Sequence, residues 1–208
     1  MHKSTWLITG ASSGLGLALA EYVLAQGDKV TLAARSTVVM QTLADQYPAS
    51  AHVISLDVTD AEQRVRAISE TERVLGPIDI LVNNAGIDFL GAIEEQREQD
   101  YRQTFEVNFF GALELLRAAL PGMRERGTGM IVNMSSMDGM TSLAANGFYS
   151  SSKFALEGAT EALWQEIEPL GLHAVLIEPG SFRTGIETRT HFSGDRIDAY
   201  VATSGAFR

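Results

Sequence analysis

Cysteine is missing altogether from the 208 residues, which excludes a disulfide framework and any thiolate nucleophile or ligand. Positive charge is scarce. Sixteen Lys and Arg stand against 26 Asp and Glu, a formal charge of −10. Non-specific binding to nucleic acid or to an anionic membrane needs a basic surface, so neither is expected among the partners. The four histidines, His2, His52, His173 and His191, have no metal-ligand spacing, and no metal site is expected. No apolar run approaches the length of a membrane span. The first residues pass straight into a strand pattern, leaving no room for a secretory leader; a cytoplasmic protein is the expectation. Internal repeats, low-complexity tracts and linkers are lacking too. What remains, with 45% hydrophobic and 20% charged residues, is the composition of one soluble globular domain with a sizeable core.

Short apolar runs alternate with longer amphipathic ones. Trp6-Leu7-Ile8 reads as a buried strand, followed by glycines and a helix with Leu15, Leu19, Tyr22 and Val23 on one face. Further strands are expected at residues 29–34, 52–56, 78–82, 130–134 and 174–177. Helices are expected at 38–47, from an Asp60 cap to about Leu75, over 94–126 as one or two pieces meeting near Thr104, and at 148–170. After Ile177 no further strand is legible. The repeated strand–helix order predicts an α/β fold: a doubly wound, Rossmann-like parallel sheet with helices on both faces, in a single domain spanning residues 1–208.

Tyr149 and Lys153, in Tyr149-Ser150-Ser151-Ser152-Lys153, are the most pointed chemistry in the chain. On a helix the two side chains share a face. A fixed ammonium beside a phenol favours the phenolate and lowers the pKa from about 10. Upstream, Thr9-Gly10-Ala11-Ser12-Ser13-Gly14-Leu15-Gly16 lies between the first strand and first helix, where a dinucleotide fingerprint belongs. Its glycines permit a tight turn, and the helix N-terminus attracts a pyrophosphate; a merely tight connection would look the same in isolation. Arg35 follows the second strand where an NAD site usually has a carboxylate. A guanidinium there suits a 2′-phosphate, which favours NADP(H), the alternative being a solvated arginine at a strand end. Asn83-Asn84-Ala85-Gly86 ends the fourth strand, where small residues and amides can approach a ribose or adenine, or simply form a turn. Asn108, within Val107-Asn108-Phe109-Phe110, needs hydrogen-bond partners if buried; a structural kink is its other reading.

Taken in order, these segments, together with Leu56-Asp57-Val58, Ile131-Val132-Asn133-Met134-Ser135-Ser136 and Pro179-Gly180-Ser181-Phe182-Arg183-Thr184, resemble the short-chain dehydrogenase/reductase family over residues 5–184. The resemblance implies an NADP(H)-dependent oxidoreductase acting on a carbonyl or alcohol. In it, Tyr149 is the general acid/base and Lys153 lowers its pKa while holding the nicotinamide ribose. Ser136 holds the substrate oxygen, with Ser135 as the less suited candidate, and Asn108 anchors a water linking Lys153 to solvent. Gly10, Ser12, Ser13, Gly14, Leu15, Gly16, Arg35, Asn84, Ala85 and Gly86 hold the dinucleotide. Asp57 and Val58 face the adenine, and Thr184 with Pro179 and Gly180 holds the carboxamide.

By the same analogy the substrate pocket is bordered by Phe89, Leu90, Met137, Met140, Leu143, Ile186 and Phe192, with Asp88 and Asp138 as polar contacts. That lining suits a medium-sized hydrophobic ketone or secondary alcohol, or is in part ordinary packing. The family implies a homodimer or homotetramer formed through the two long helices, here with the small apolar faces of Ala112, Leu116, Ala119, Ala155, Ala159 and Ala162. A substrate lid is expected from about residue 181. Relatives continue with another helix and strand, so a missing C-terminal part is also expected. Two other classes stay open: an NADP(H)-binding sensor without turnover, and an isomerase or dehydratase that recycles its cofactor.

Overall fold

The computed structural model of the protein describes residues 3–182 and 190–207. Six parallel strands form the central sheet in the order β3-β2-β1-β4-β6-β7. They are β1 (Thr5–Thr9), β2 (Lys29–Ala34), β3 (Ala51–Ser55), β4 (Ile80–Asn83), β6 (Gly129–Met134) and β7 (Leu172–Ile177). A separate two-residue pair joins β5 (Phe89–Leu90) to β8 (His191–Phe192), also in parallel. The helices are α1 (Gly14–Ala25), α2 (Val38–Ala44), α3 (Ala61–Leu75), α4 (Glu98–Phe105), α5 (Gly111–Arg126) and α6 (Gly147–Ile167).

Strands covered on both faces need apolar residues at successive positions, and five of the six residues of β2 are buried. On one side, Ile8, Val30, Leu32 and Val82 pack against Ala20, Val23 and Leu24 of α1 and Met40 and Leu43 of α2. On the other, Leu7, Leu81 and Ile131 meet α3, α5 and α6 through Ala67, Ile68, Leu115, Ala119, Met123 and Leu163. Helix α3 starts where expected: the Asp60 carboxylate accepts from the Gln63 backbone N–H at 3.0 Å, satisfying a donor that the first turn leaves open. The chain lays down β2 and β3 on one side of β1, then crosses to β4, β6 and β7 on the other. The loops leaving the carboxyl ends of β1 and β4 therefore diverge, and a crevice opens between them.

Several expectations are corrected. Tyr22 is 64% exposed. Helix α1 instead turns Gly16, Ala20, Val23 and Leu24 inward, because small residues let its axis approach the sheet. Ala112, Leu116 and Ala119 belong to the core of this chain rather than to an outward face, since α5 lies directly on β4 and β6. The apolar side chains left exposed on that side include Phe110, Phe154 and Trp164. The helical run begins at Glu98 rather than at residue 94, which lies in a turn, and is continuous to Arg126 with a π-helical segment, Glu106–Phe110, between α4 and α5. Beyond Ile177, β8 supplies a strand too short to leave a periodic signal.

Candidate active site

Of the residues singled out in the sequence, His2, Arg183, Thr184, Ile186 and with them residues 183–189 of the expected lid fall outside the described residues; the others lie within them. The glycine turn is built around Thr9 and Asn84. The Thr9 hydroxyl accepts from the backbone N–H groups of Asn84 and Ala85 at 2.9 and 3.0 Å. The Asn84 amide donates to the carbonyls of Thr9 and Gly10 at 2.9 and 3.3 Å. These bonds tie the loop after β1 to the loop after β4. They also explain the glycines: a Cβ on Gly16 would lie 2.4 Å from Asn84 Nδ2, and one on Gly10 2.8 Å from the same atom. Gly10 and Gly14 have left-handed φ angles of 64° and 57°, which L side chains rarely adopt. Asn84 is thus engaged in stapling the turn, and Thr9, given no role from sequence, is its hub. A threonine preceding the first glycine is the signal that could have marked it.

The N-terminus of α1 opens behind this turn at Ser13, whose backbone is extended, and Ser12, Ser13, Gly14 and Leu15 are half-buried there. A narrow turn lacking side chains, beside the positive end of a 12-residue helix, fits a dinucleotide pyrophosphate. Arg35 is exposed just beyond β2 and makes no ion pair among the described residues, leaving its guanidinium available to a phosphate. Asp57 and Val58 follow β3. The Asp57 carboxylate accepts from the Thr59 N–H and hydroxyl at 3.0 and 2.8 Å. The Val58 side chain packs in the core against Gly111. An adenine would therefore meet Val58 by its backbone, with Asp57 Oδ2 making no bond among the described residues.

Ser136, Tyr149 and Lys153 come together at the carboxyl ends of β4 and β6. Ser136, 9% exposed, ends the loop after β6 and accepts the Asp138 N–H at 3.1 Å. Tyr149 and Lys153 share one face of α6, with Nζ 5.7 Å from the ring centroid. The Lys153 ammonium is buried and donates to the Met134 carbonyl at 2.8 Å. Gly86 lies over it: a Cβ there would be 3.5 Å from Asn108 Oδ1 and 3.9 Å from Lys153 Nζ. Asn108, at the middle of the π segment, is 1% exposed. It accepts from the Ile87 N–H at 2.9 Å and donates to the Ile87 carbonyl at 2.9 Å and the Ser152 hydroxyl at 3.1 Å. The kink and the buried amide are one device, because the π turn swings Asn108 inward to couple the loop after β4 to α6. Pro179 accepts the Met137 N–H at 3.0 Å, and Gly180 follows it beside Met137.

The electrostatics correct one expectation. Burial pushes the Tyr149 phenol up to about 12; a Ser136 hydrogen bond opposes this, and the carboxylates of Asp88 and Asp138 add to it. The Lys153 ammonium, itself buried and donating to the Met134 carbonyl while 5.7 Å from the ring centroid, does not offset that rise. Burial brings Lys153 down to about 8, partly offset by the Glu157 carboxylate. Asp88 is raised to about 6 by burial and by Asp138. Asp138 is also raised by burial, against hydrogen bonds from Asn146 and Ser136. Around this centre Met137, Met140, Leu143 and Phe192 are 40–60% exposed, while Phe89 and Leu90 are half-buried.

A feature that the sequence did not reveal is the strap formed by residues 190–207. Ser193, wholly buried, donates to Asp100 at 2.7 Å and accepts the Arg97 N–H at 2.9 Å. Ile197 N–H reaches Glu95 at 2.8 Å, and the Tyr200 hydroxyl reaches Glu94 at 2.6 Å. A cavity of ≈ 490 Å³ beside this strap is lined by Glu94, Glu95, Arg97, Phe192, Gly194, Asp195 and Ile197. Phe192 is the one residue it shares with the expected substrate border. Among the described residues no group of His, Asp or Glu has the arrangement of a metal site, and no helix is long and apolar enough to cross a membrane.

Comparison with known proteins agrees with this geometry. Residues 4–192 match the family model described as short chain dehydrogenase. The chain is 41% identical over 191 residues to the uncharacterized oxidoreductase YusZ of Bacillus subtilis, covering 89% of this chain and 68% of that protein. It is 35% identical over 193 residues to the 3-ketodihydrosphingosine reductase of Bacteroides thetaiotaomicron, covering 93% and 69%. The crystal structure of a short-chain dehydrogenase from Streptomyces avermitilis superposes with a TM-score of 0.93 at 42% identity, over 100% of this chain and 77% of that one.

Proposed function

The chain belongs to the short-chain dehydrogenase family of oxidoreductases, and on that premise we propose that it uses NADP(H) to interconvert a ketone and a secondary alcohol of medium size and largely apolar character. The observation that carries this reading is the meeting of Ser136, Tyr149 and Lys153 at the mouth of a crevice whose inner end is a glycine turn stapled by Asn84. Arg35, unpaired among the described residues, supports NADP(H) over NAD(H), because a guanidinium binds a 2′-phosphate by charge-assisted hydrogen bonds. The role of Thr184, with Pro179 and Gly180, in holding the carboxamide belongs to the same proposal, as does assembly into a homodimer or homotetramer.

When bound, the dinucleotide supplies or accepts the hydride. The chain's own residues manage the oxygen and its proton. In the reductive direction Tyr149 gives its phenolic proton to the substrate oxygen as negative charge grows there. A phenol raised to about 12 stays fully protonated at neutral pH, so the acid is loaded before reaction. The Ser136 hydroxyl, within hydrogen-bond reach of both Tyr149 and Asp138, turns its O–H to the same oxygen when substrate is bound. The Lys153 ammonium then faces the phenolate that Tyr149 becomes.

An exposed rim of Met137, Met140, Leu143 and Phe192 supports an apolar substrate body. The lining is not wholly apolar, however. Asp88 and Asp138 both bear on Tyr149, which suits a hydroxyl or amine donor near the reacting carbon. A relative named as a 3-keto reductase supports a ketone as the reacting group. A panel of aliphatic and cyclic ketones and alcohols, assayed with NADPH/NADP⁺ and NADH/NAD⁺, tests the proposal. Stoichiometric NADPH oxidation with apolar ketones is expected. Binding of NADPH without net consumption across the panel would refute the reading, and faster turnover of polar sugars would refute the substrate class.

A further inference from the structure

Helix α6 carries a third ionisable side chain in line with the first two. Tyr149, Lys153 and Glu157 recur at every fourth position and so fall on one face. Glu157 Oε1 is shut off from solvent with no hydrogen-bond partner. Nearby lies a second polar atom in the same condition, the hydroxyl of Ser135, a residue only 4% exposed. The two flank Gly139: a Cβ built there would lie 2.6 Å from Ser135 Oγ and 2.8 Å from Glu157 Oε1. The end of β6, the turn Met137–Gly139 and α6 together leave room for a carboxylate. Shutting one of its oxygens off from water without a partner is costly, and nothing in the proton transfer at Tyr149 uses it.

Lys153 supplies the reason. Its surroundings offer few other charges. Tyr149 presents a neutral phenol from α6, Met134 a carbonyl from β6, Asn108 an amide from the π segment, and Gly86 only backbone from the loop after β4. Asp88 and Asp138 bear on Tyr149. One turn beyond Glu157, Glu161 is exposed to solvent. Glu157 is the carboxylate whose charge reaches the buried ammonium. We infer that Glu157 is a positioning residue of this active site, the counter-charge that keeps the buried Lys153 in its ammonium form. It acts through space: no Lys153–Glu157 ion pair forms among the described residues.

The inference rests on the proposed role of Lys153 for its kinetic test, but not for its stability test. In Glu157→Gln the alkaline limb of kcat/KM, set by loss of the Lys153 proton near pH 8, moves down by about one pH unit. Glu157→Asp restores most of the shift. A merely structural role would lower the rate at every pH and leave the limb in place, which would overturn the inference. The second test needs neither cofactor nor substrate. Lys153 binds its proton less tightly folded, at about 8, than at its ordinary value of 10.5, so the unfolded chain holds more protons between those values. Folding stability therefore rises with pH in that window. Relative to Lys153→Met, which lacks this contribution, the rise begins at lower pH in Glu157→Gln than in the unaltered protein; coincident onsets would overturn the inference. If Glu157→Gln does not fold, Gly139→Ala, whose methyl displaces the carboxylate, must move both onsets the same way. A chain that turns over no ketone, yet shows the shifted stability onset, refutes the proposed function and leaves the role of Glu157 standing.

Discussion

Gly16→Ala probes the joint between the two loops that make the crevice. The added methyl would sit 2.4 Å from Asn84 Nδ2 and 2.7 Å from the Gly10 carbonyl oxygen, at least about 0.7 Å inside normal contact on each side. The carbonyl cannot retreat, because it belongs to a turn held at φ 64°. The amide can retreat only by giving up its bonds of 2.9 and 3.3 Å to Thr9 and Gly10. Two such bonds contribute about 0.5–1.5 kcal/mol each, and overpacking adds about 1–3 kcal/mol. A loss of roughly 2–6 kcal/mol is expected, shared between global stability and the shape of the turn. For a domain of this size each kcal/mol lowers Tm by about 2–4 °C, so a fall of about 4–24 °C should appear in a thermal melt. Titration of NADPH fluorescence should give an affinity at least tenfold weaker. Gly158→Ala is the control: no atom lies within 4 Å of a Cβ there, and alanine in mid-helix should leave Tm unchanged or raise it. A Gly16→Ala protein with unaltered Tm and NADPH affinity would refute the account of the turn.

Tyr149→Phe should bind NADPH normally and lose nearly all turnover; more than a few percent of the original rate in a steady-state ketone assay would rule the phenol out as the acid. Arg35→Ala should weaken NADPH about 10- to 100-fold, as expected for lost charge-assisted bonds, while NADH affinity stays level; equal effects on both would show that the guanidinium does not read the 2′-phosphate. Asp88 binds its proton more tightly folded, at about 6, than at its ordinary value of 3.8, so stability is lost as pH rises through that window. Asp88→Asn should therefore be more stable than the unaltered protein at pH 7, by about 1–3 kcal/mol, with the gap closing by pH 4. Urea melts across that range would expose a gap independent of pH.

Much of this was legible in one dimension because it depends on local spacing. Strand β2 falls on residues 29–34 as read from its apolar run, and α3 starts at its Asp60 cap. The motif segments were recognisable because each works within a few residues: Tyr149 and Lys153 share a face through helical periodicity, and Gly10 and Gly14 adopt angles that favour glycine. The strap was illegible. Its bonds join Ser193 to Asp100 and Tyr200 to Glu94 across about half the chain, and no local pattern encodes such pairs. The inward turn of Asn108 was only half legible, since a polar residue in an apolar helix signals a constraint without saying which.

The order of residues alone determined that strands and helices would alternate, and so which chemical groups would stand at strand ends, because backbone preference and hydrophobic period act over short distances. Only the tertiary structure decided the state of those groups. It set Tyr149 as a firmly protonated phenol, Lys153 as a weakened base with Glu157 behind it, and Asn84 as a staple between two loops. Those properties come from burial and from charges and donors brought close by folding, and in a low-dielectric interior such neighbours outweigh sequence neighbours.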